Sequence, residues 1–259
     1  MRGFGLAKLF ELVNGVEKTQ LLYWVDSYLK IFRANVLRLE PDKKHDVYVV
    51  LDRTIFHPKS GGQPSDRGVI TGSDFGVDVK KAMLVSNVIV HWGKILGGEP
   101  KVGGVEGEID WRWRRLLMRR HTAGHLYDHC LTQVTGKRVE TTDSWLGDPC
   151  YVGYKGKKPS TEELRRAEDV ENEMIAEGAA VKSDIVSYEE LLKRAPEAPN
   201  IYRLPKLESY RIVAIEGCKP IPCGGTHLRN INEIGRFRLK DVSEVEDGFR
   251  VYYDVEDFT

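Results

Sequence analysis

Two short stretches, far apart in the chain, hold residue types that bind metal ions: His121-Thr122-Ala123-Gly124-His125 and Cys223-Gly224-Gly225-Thr226-His227. Side chains four positions apart on a helix project from one side, one turn above the other. Two imidazoles so placed can reach a single ion, as in other helical zinc motifs. In the second stretch the glycines let the chain curl, so that a thiolate and an imidazole can complete the set. One cysteine with three histidines suits Zn2+, which takes nitrogen and sulfur donors in a tetrahedron. The spacing therefore predicts one zinc site built from His121, His125, Cys223 and His227.

The histidine pair needs a helix to carry it, and Trp111 to Val134 reads as one. Leu116, Ala123, Tyr127, Cys130 and Val134 form an apolar stripe at helical spacing, with the two histidines on the other side. His129 continues the histidine series and is the reserve ligand, otherwise a residue of the surroundings. Cys218 is near enough to Cys223 to replace it, but lacks the Gly-Gly-Thr-His that follows. Cys130 lies on the stripe and reads as a buried thiol, and Cys150 has no assignment.

Before this helix the chain has β character from Tyr28 to about Gly107. Ile31 to Leu39 and Val47 to Leu51 are rich in β-branched and aromatic residues, with turn residues between them. Further short runs at Gly68 to Thr71, Gly76 to Leu84 and Asn87 to Trp92 suggest a small closed barrel. Gly97 to Gly104 reads as a loop. Residues 1–20 carry Leu6, Leu9, Phe10, Val13 and Val16 at helical spacing, which makes them either a short docking helix or an extension.

After the helix, strands are expected between Lys137 and Tyr154. Ser160 and Glu163 form a capping box that opens a second helix, with Leu164, Ala167, Val170, Met174 and Ile175 inward and Gly178 as its stop. Ser187 to Arg194 is a shorter helix. The prolines at 196, 199 and 205 mark a loop before a strand at Arg211 to Ile215, and Phe237 to Leu239 with Gly248 to Val255 reads as a closing strand pair. Helices and strands mixed without a βαβ repeat imply an α+β fold.

Composition narrows the classes. At 259 residues, 41% apolar and 30% charged, the chain is long enough for two domains and is not of the disordered type. Its formal net charge is zero, so binding to nucleic acid has to come from local patches. Four cysteines at irregular spacing make no disulfide framework, and the absence of a C-x-x-C pair excludes zinc-ribbon and thioredoxin-like sites. That usage fits a reducing compartment, and the expected location is cytoplasmic. No apolar run reaches the length of a membrane span. Lys8 and Glu11 interrupt what would be the apolar core of a leader peptide.

Other stretches could do chemistry. Ser60-Gly61-Gly62-Gln63-Pro64 offers backbone amides that phosphate or ribose can approach, or is simply a β-turn. Arg112, Arg114, Arg115, Arg119 and Arg120, interleaved with Trp111 and Trp113, are either phosphate and base contacts or a solvated helix face. Lys155, Lys157 and Lys158 form a second basic loop. Thr141, Thr142, Asp143 and Ser144 supply hydroxyls able to select a hydroxylated substrate, or are plain strand and turn residues.

Taken together, the His121–His125 and Cys223–His227 motifs and the run from Asp52 to Gly68 resemble the editing region of alanyl-tRNA synthetase. The chain is most similar to the freestanding alanyl-tRNA editing proteins that keep the glycine-rich N-terminal domain, from about Leu21 to its end. No ATP-binding or amino-acid-activating motif is evident. The resemblance implies a β-barrel domain over 21–107 carrying the Gly-Gly-Gln motif, after an N-terminal extension at 1–20. A zinc-containing α+β editing domain of the threonyl/alanyl-tRNA synthetase type would follow over 108–259. It implies hydrolysis of Ser-tRNA(Ala) mischarged in translation, leaving open whether Gly-tRNA(Ala) is cleared too. It further implies Zn2+ on His121, His125, Cys223 and His227, and handling of the charged tRNA by Gly61, Gly62 and Gln63. Serine sensing would fall to Thr142, with Thr141 the alternative. No residue is assigned as the catalytic acid or base. The competing reading from another class is a structural-zinc module that binds tRNA without catalysis; a zinc hydrolase of small esters is a further rival.

Overall fold

The structure, a computed structural model, describes residues 5–43, 45–196, 198, 201, 204 and 206–257. Pro199 and Pro205 of the expected loop, and residues 1–4 of the extension, lie outside the described residues. The chain divides into two compact units: Met1–Ser60 with Pro64–Arg115, and Gly61–Gln63 with Leu116–Thr259.

The first unit holds α1 (Leu6–Val13), β1 (Gln20–Leu21), α2 (Leu22–Val25), β2 (Ile31–Pro41), β3 (Asp46–Leu51), β4 (Arg53–Thr54), β5 (Gly68–Thr71), β6 (Gly76–Val85), β7 (Val88–Gly97) and β8 (Gly103–Ile109). Six of them close a barrel in the order β2-β3-β7-β6-β5-β8. Alternation places Phe32, Ala34 and Val36 of β2 and Val77 and Val79 of β6 inside it, around Phe56 and Ile70. β3 is buried on both faces, and the reason is α1 (Leu6–Val13). Val47, Val49 and Leu51 point into the barrel, whereas Tyr48 and Val50 pack outward against Leu9, Leu12 and Val13 of that helix. Arg38 closes the helix end by donating to the carbonyl of Leu12 at 3.0 Å. The N-terminal segment is thus a docked helix. β8 was expected to be part loop, because glycines 103 and 104 carry no side-chain signal; pairing with β2 and β5 makes it a strand.

The second unit contains the bulk of α3 (Trp111–Thr135), then β9 (Thr141–Trp145), β10 (Tyr151–Lys155), α4 (Thr161–Glu177), β11 (Val181–Val186), α5 (Tyr188–Arg194), β12 (Tyr210–Ile215) and β13 (Ile221–Pro222). A 3-10 turn at Ile231–Ile234 precedes β14 (Arg236–Val245) and β15 (Gly248–Glu256). One sheet runs β14-β15-β10-β9, and a smaller one β11-β12-β13. The α+β class and the N-terminal barrel are as the sequence predicts.

Local rules explain the helices of this unit. The Ser160–Glu163 capping box forms and opens α4, and Gly178 ends it with a positive φ. Leu164, Ala167 and Ile175 point inward, but Val170 and Met174 are only half-buried; Glu171 takes the inward position between them. β11 escaped the sequence reading because Lys182, Ser183 and Asp184 are exposed, and antiparallel pairing with β12 alone defines it.

Three of the arginines at the start of α3 do structural work instead of facing solvent. Arg114 is fully buried and chelates Asp66, besides donating to the carbonyls of Ser27 and Ile55, all within the first unit. In the second unit, Arg119 donates to the carbonyls of Ile234 and Glu256, and Arg120 to the Leu146 carbonyl and to Asp148 and Asp254. Their guanidinium groups are engaged internally, which removes these three from the expected set of phosphate contacts. No described helix is long and apolar enough to cross a membrane.

Candidate metal centre

Folding brings His121, His125, Cys223 and His227 into one group, with their donor atoms all within 4.8 Å of one another. Cys223 Sγ and His121 Nε2 are 3.3 Å apart. Donors on a tetrahedral zinc ion, with bonds of about 2.0–2.3 Å, stand about 3.3–3.6 Å apart. The group is close to that size. His125 Nε2 and His227 Nε2 are buried and have no hydrogen-bond partner, so two lone pairs are sealed beside a third imidazole and a sulfur. That is a costly arrangement for protein atoms alone and a natural one for ligands. Burial lowers the pKa of His125 to about 4 and holds His227 well below its ordinary value, helped by Arg211; both imidazoles are therefore neutral, as ligands must be. Cys223 is pushed upward by burial, against the Gly225 amide and the charge of Arg211. The four residues could hold a metal ion.

The surroundings set each donor. α3 supplies His121 and His125 four residues apart, and Gly124 between them is small enough to leave room for the Tyr253 hydroxyl. Thr122 Oγ1 accepts from the Leu228 amide at 3.1 Å, which ties the helix to the segment after the cysteine turn. That turn leaves β13 and is anchored by Arg211 on β12: its Nη1 donates to the carbonyls of Cys223 (3.1 Å) and Gly225 (2.8 Å). Gly225 has to be glycine, since a Cβ there would collide with the His121 ring and come within 2.8 Å of Gln63 Oε1.

Gln63 is the residue whose place the sequence reading missed. Its side chain is fully buried in the second unit. Oε1 accepts from His121 Nδ1 (3.1 Å) and from the Thr226 amide (3.1 Å), while Nε2 donates to Thr226 Oγ1 (2.9 Å). An amide so saturated does not meet a nucleic acid directly; it fixes the His121 tautomer that presents Nε2 to the group. The preceding turn explains how it gets there. Gly62 has φ of 79°, its carbonyl accepts from the Leu146 amide at 3.0 Å, and a Cβ on it would strike the backbone of Ser144. Gly61 is exposed.

The other expected site residues lie on β9, the edge strand of its sheet. Thr142 is exposed and donates to Asp143 Oδ1 at 3.1 Å. A register shift pairs Val152 with Ser144 and Tyr154 with Thr141, which puts Thr141 on the sheet face of Tyr154. Neither His129 nor Cys218 joins the group of four. Both instead line a cavity of about 800 Å³, whose wall also includes His125 and Asp128. Cys130 is the core thiol expected of it, 3.8 Å from Met174 Sδ. Lys158 of the basic loop pairs with Glu244 at 2.9 Å.

Two carboxyl groups went unnoticed in the sequence. Asp128 accepts from Tyr154 Oη at 2.6 Å, and burial lifts it to about 7. Glu171 is fully buried with neither oxygen hydrogen-bonded; burial, then the charges of Asp128 and Glu168, hold it well above the usual carboxylate range. Asp128 could have been found by extending the histidine periodicity one more turn. Nothing local marks Glu171.

The chain is similar to known proteins along most of its length. Residues 9–113 match the family described as tRNA synthetases class II (A), and residues 210–252 match the threonyl and alanyl tRNA synthetase second additional domain. The chain is 32% identical over 250 residues to the alanyl-tRNA editing protein AlaX-M of Methanosarcina mazei, covering 92% of this chain and 97% of that protein. A similar match to AlaX-M of Methanosarcina barkeri, 32% over 248 residues, covers the whole of that protein. Alanine--tRNA ligase of Pyrobaculum neutrophilum is 32% identical over 252 residues, but the chain spans only 27% of its length.

Proposed function

The chain belongs to the alanyl-tRNA editing protein family, and on that premise we propose that it is a trans-editing deacylase of mischarged tRNA(Ala), with Ser-tRNA(Ala) its principal substrate. The observation that carries the reading is the His121–His125–Cys223–His227 group, two of whose nitrogens are buried without any partner. These residues would hold Zn2+, which supplies Lewis acidity toward the ester carbonyl joining amino acid to ribose. The chain's own residues do the rest. Gln63 and Arg211 fix the donors, while the cavity beside His125 is large enough to receive the end of the charged ester. Editing is needed here because serine exceeds alanine by only a hydroxyl, which an apolar activation pocket rejects poorly. The site of action we propose is the cytoplasm.

Gly61 and Gly62 are proposed to meet the charged tRNA, Gln63 acting from within. A hydroxyl on β9 is proposed to sense serine: Thr142 by the family's spacing, or Thr141, which the register with Tyr154 favours. A deacylation panel with Ser-, Gly- and Ala-tRNA(Ala), each with and without chelator, tests the whole reading. Release of serine from Ser-tRNA(Ala) that chelator abolishes is the expected result, and His125→Ala should lose metal and activity together. If serine release matches the spontaneous rate, the protein is a tRNA-binding module and not an enzyme. Run on Thr141→Val and Thr142→Val, the same panel identifies the sensor as the one whose loss erodes the preference for serine over alanine.

A further inference from the structure

Asp128 has no task in the reading above. It follows His121 by seven residues and His125 by three, so it leaves α3 on the histidine side. It lines the cavity of about 800 Å³ together with His125. Tyr154 Oη donates to its Oδ1 at 2.6 Å, and that ring is itself held, stacked on Phe249 with centroids 5.2 Å apart. No cationic side chain among the described residues pairs with the carboxylate. A half-buried carboxylate without a paired cation is costly, and desolvation has already raised its pKa to about 7.

The remaining charge of the cavity points the other way. Arg138, Arg194 and Lys219 line it, Arg194 also pairing with Asp184 at 2.8 Å, and Asp128 is the one acidic residue among the described lining residues. A wall with several cations and a single fixed carboxylate is complementary to a ligand bearing both signs. The charged end of a tRNA is such a ligand: phosphodiesters carry the negative charge, and the amino acid contributes an ammonium one carbon from the ester carbonyl. A role for Asp128 as general base fits less well, because the phenol hydrogen bond occupies the carboxylate and lowers its basicity.

We propose that Asp128, oriented by Tyr154, is the binding subsite for the α-ammonium group of the aminoacyl ester. This rests on the deacylase reading. Its consequence is a filter: the enzyme acts on aminoacyl-tRNA with a free amino group and spares N-blocked esters, the class that includes peptidyl-tRNA.

Single-turnover deacylation of Ser-tRNA(Ala) and of N-acetyl-Ser-tRNA(Ala) tests it, each rate taken relative to spontaneous hydrolysis. The unmodified protein should act on the acetylated ester about 100-fold more slowly, the scale at which a buried polar group left unmatched rejects a substrate. Asp128→Asn keeps an oxygen for Tyr154 but removes the charge. It should slow Ser-tRNA(Ala) by about 10- to 100-fold, leave the acetylated ester unchanged, and narrow the gap between the two rates by the same factor. Equal rates on both esters with the unmodified protein overturn the subsite, as does an Asp128→Asn variant that slows both esters equally or keeps the full preference. An unmodified protein that releases no serine at all overturns the deacylase reading, and the subsite with it.

Discussion

In the barrel unit the buried carboxylate Asp66 receives the Arg114 guanidinium, with Nε 2.9 Å from Oδ1, and the His57 amide at 2.6 Å. In the second unit Glu171 is as deeply buried, yet neither of its oxygens has a partner, and Asp128 has only the Tyr154 hydroxyl. Arg211, one of the buried cations of that unit, places its Nη1 on carbonyls of the cysteine turn. Charge in the first unit is neutralised where it stands. In the second, Arg120 is likewise paired with Asp148 and Asp254, but Asp128 and Glu171 have no cation, and the unpartnered nitrogens of His125 and His227 belong to the same pattern. A frame can afford saturated ion pairs; a site that receives an ion and a charged ester has to keep its groups open.

The largest effect expected from this contrast is in the barrel unit. Asp66→Ala strands the Arg114 guanidinium with only carbonyl partners, and removing one member of a buried pair costs about 3–5 kcal/mol. Urea unfolding of the full chain measures it; a loss below about 1 kcal/mol would mean that Asp66 is as dispensable as an exposed carboxylate. Next comes Gln63→Ala, which removes the acceptor that orients His121. Loss of such a supporting contact lowers metal affinity by about 10- to 100-fold. Competition with a chelating dye reads this directly, and unchanged affinity would return Gln63 to a role in handling tRNA.

The smallest effect concerns Glu171. Its pKa is raised in the fold, so the folded protein keeps a proton that the unfolded chain gives up near its ordinary value of about 4.3. The stabilisation is whole below that value and is lost as pH rises toward the folded pKa, with a slope of at most about 1.4 kcal/mol per pH unit. Glu171→Gln cannot ionise. Its melting temperature should gain on that of the unmodified protein as pH increases from about 4.3; parallel curves would show that Glu171 is not a neutral acid in the fold.

Much of this was visible in the chain itself. The histidine spacing, the capping box at Ser160 and the alternation in β2 and β6 are local signals, and the structure has each of them. β8 and β11 were harder, because glycines and exposed polar residues form strands only where a neighbour supplies the hydrogen bonds. The N-terminal helix was legible as amphipathic, but its docking partner was not.

What the order of residues determined by itself was therefore chemistry and period: which side chains can bind a metal, and on which side of a helix they stand. Tertiary structure alone decided what surrounds them. It turned Gln63 inward to His121, although the Gly-Gly-Gln motif reads as a β-turn or a place for phosphate to approach, and it left Glu171 without a hydrogen-bond partner and Asp128 with only the Tyr154 hydroxyl. The reason is physical. Periodicity is a property of neighbours along the chain, whereas burial and pairing depend on atoms that the sequence separates widely and only the fold brings within reach.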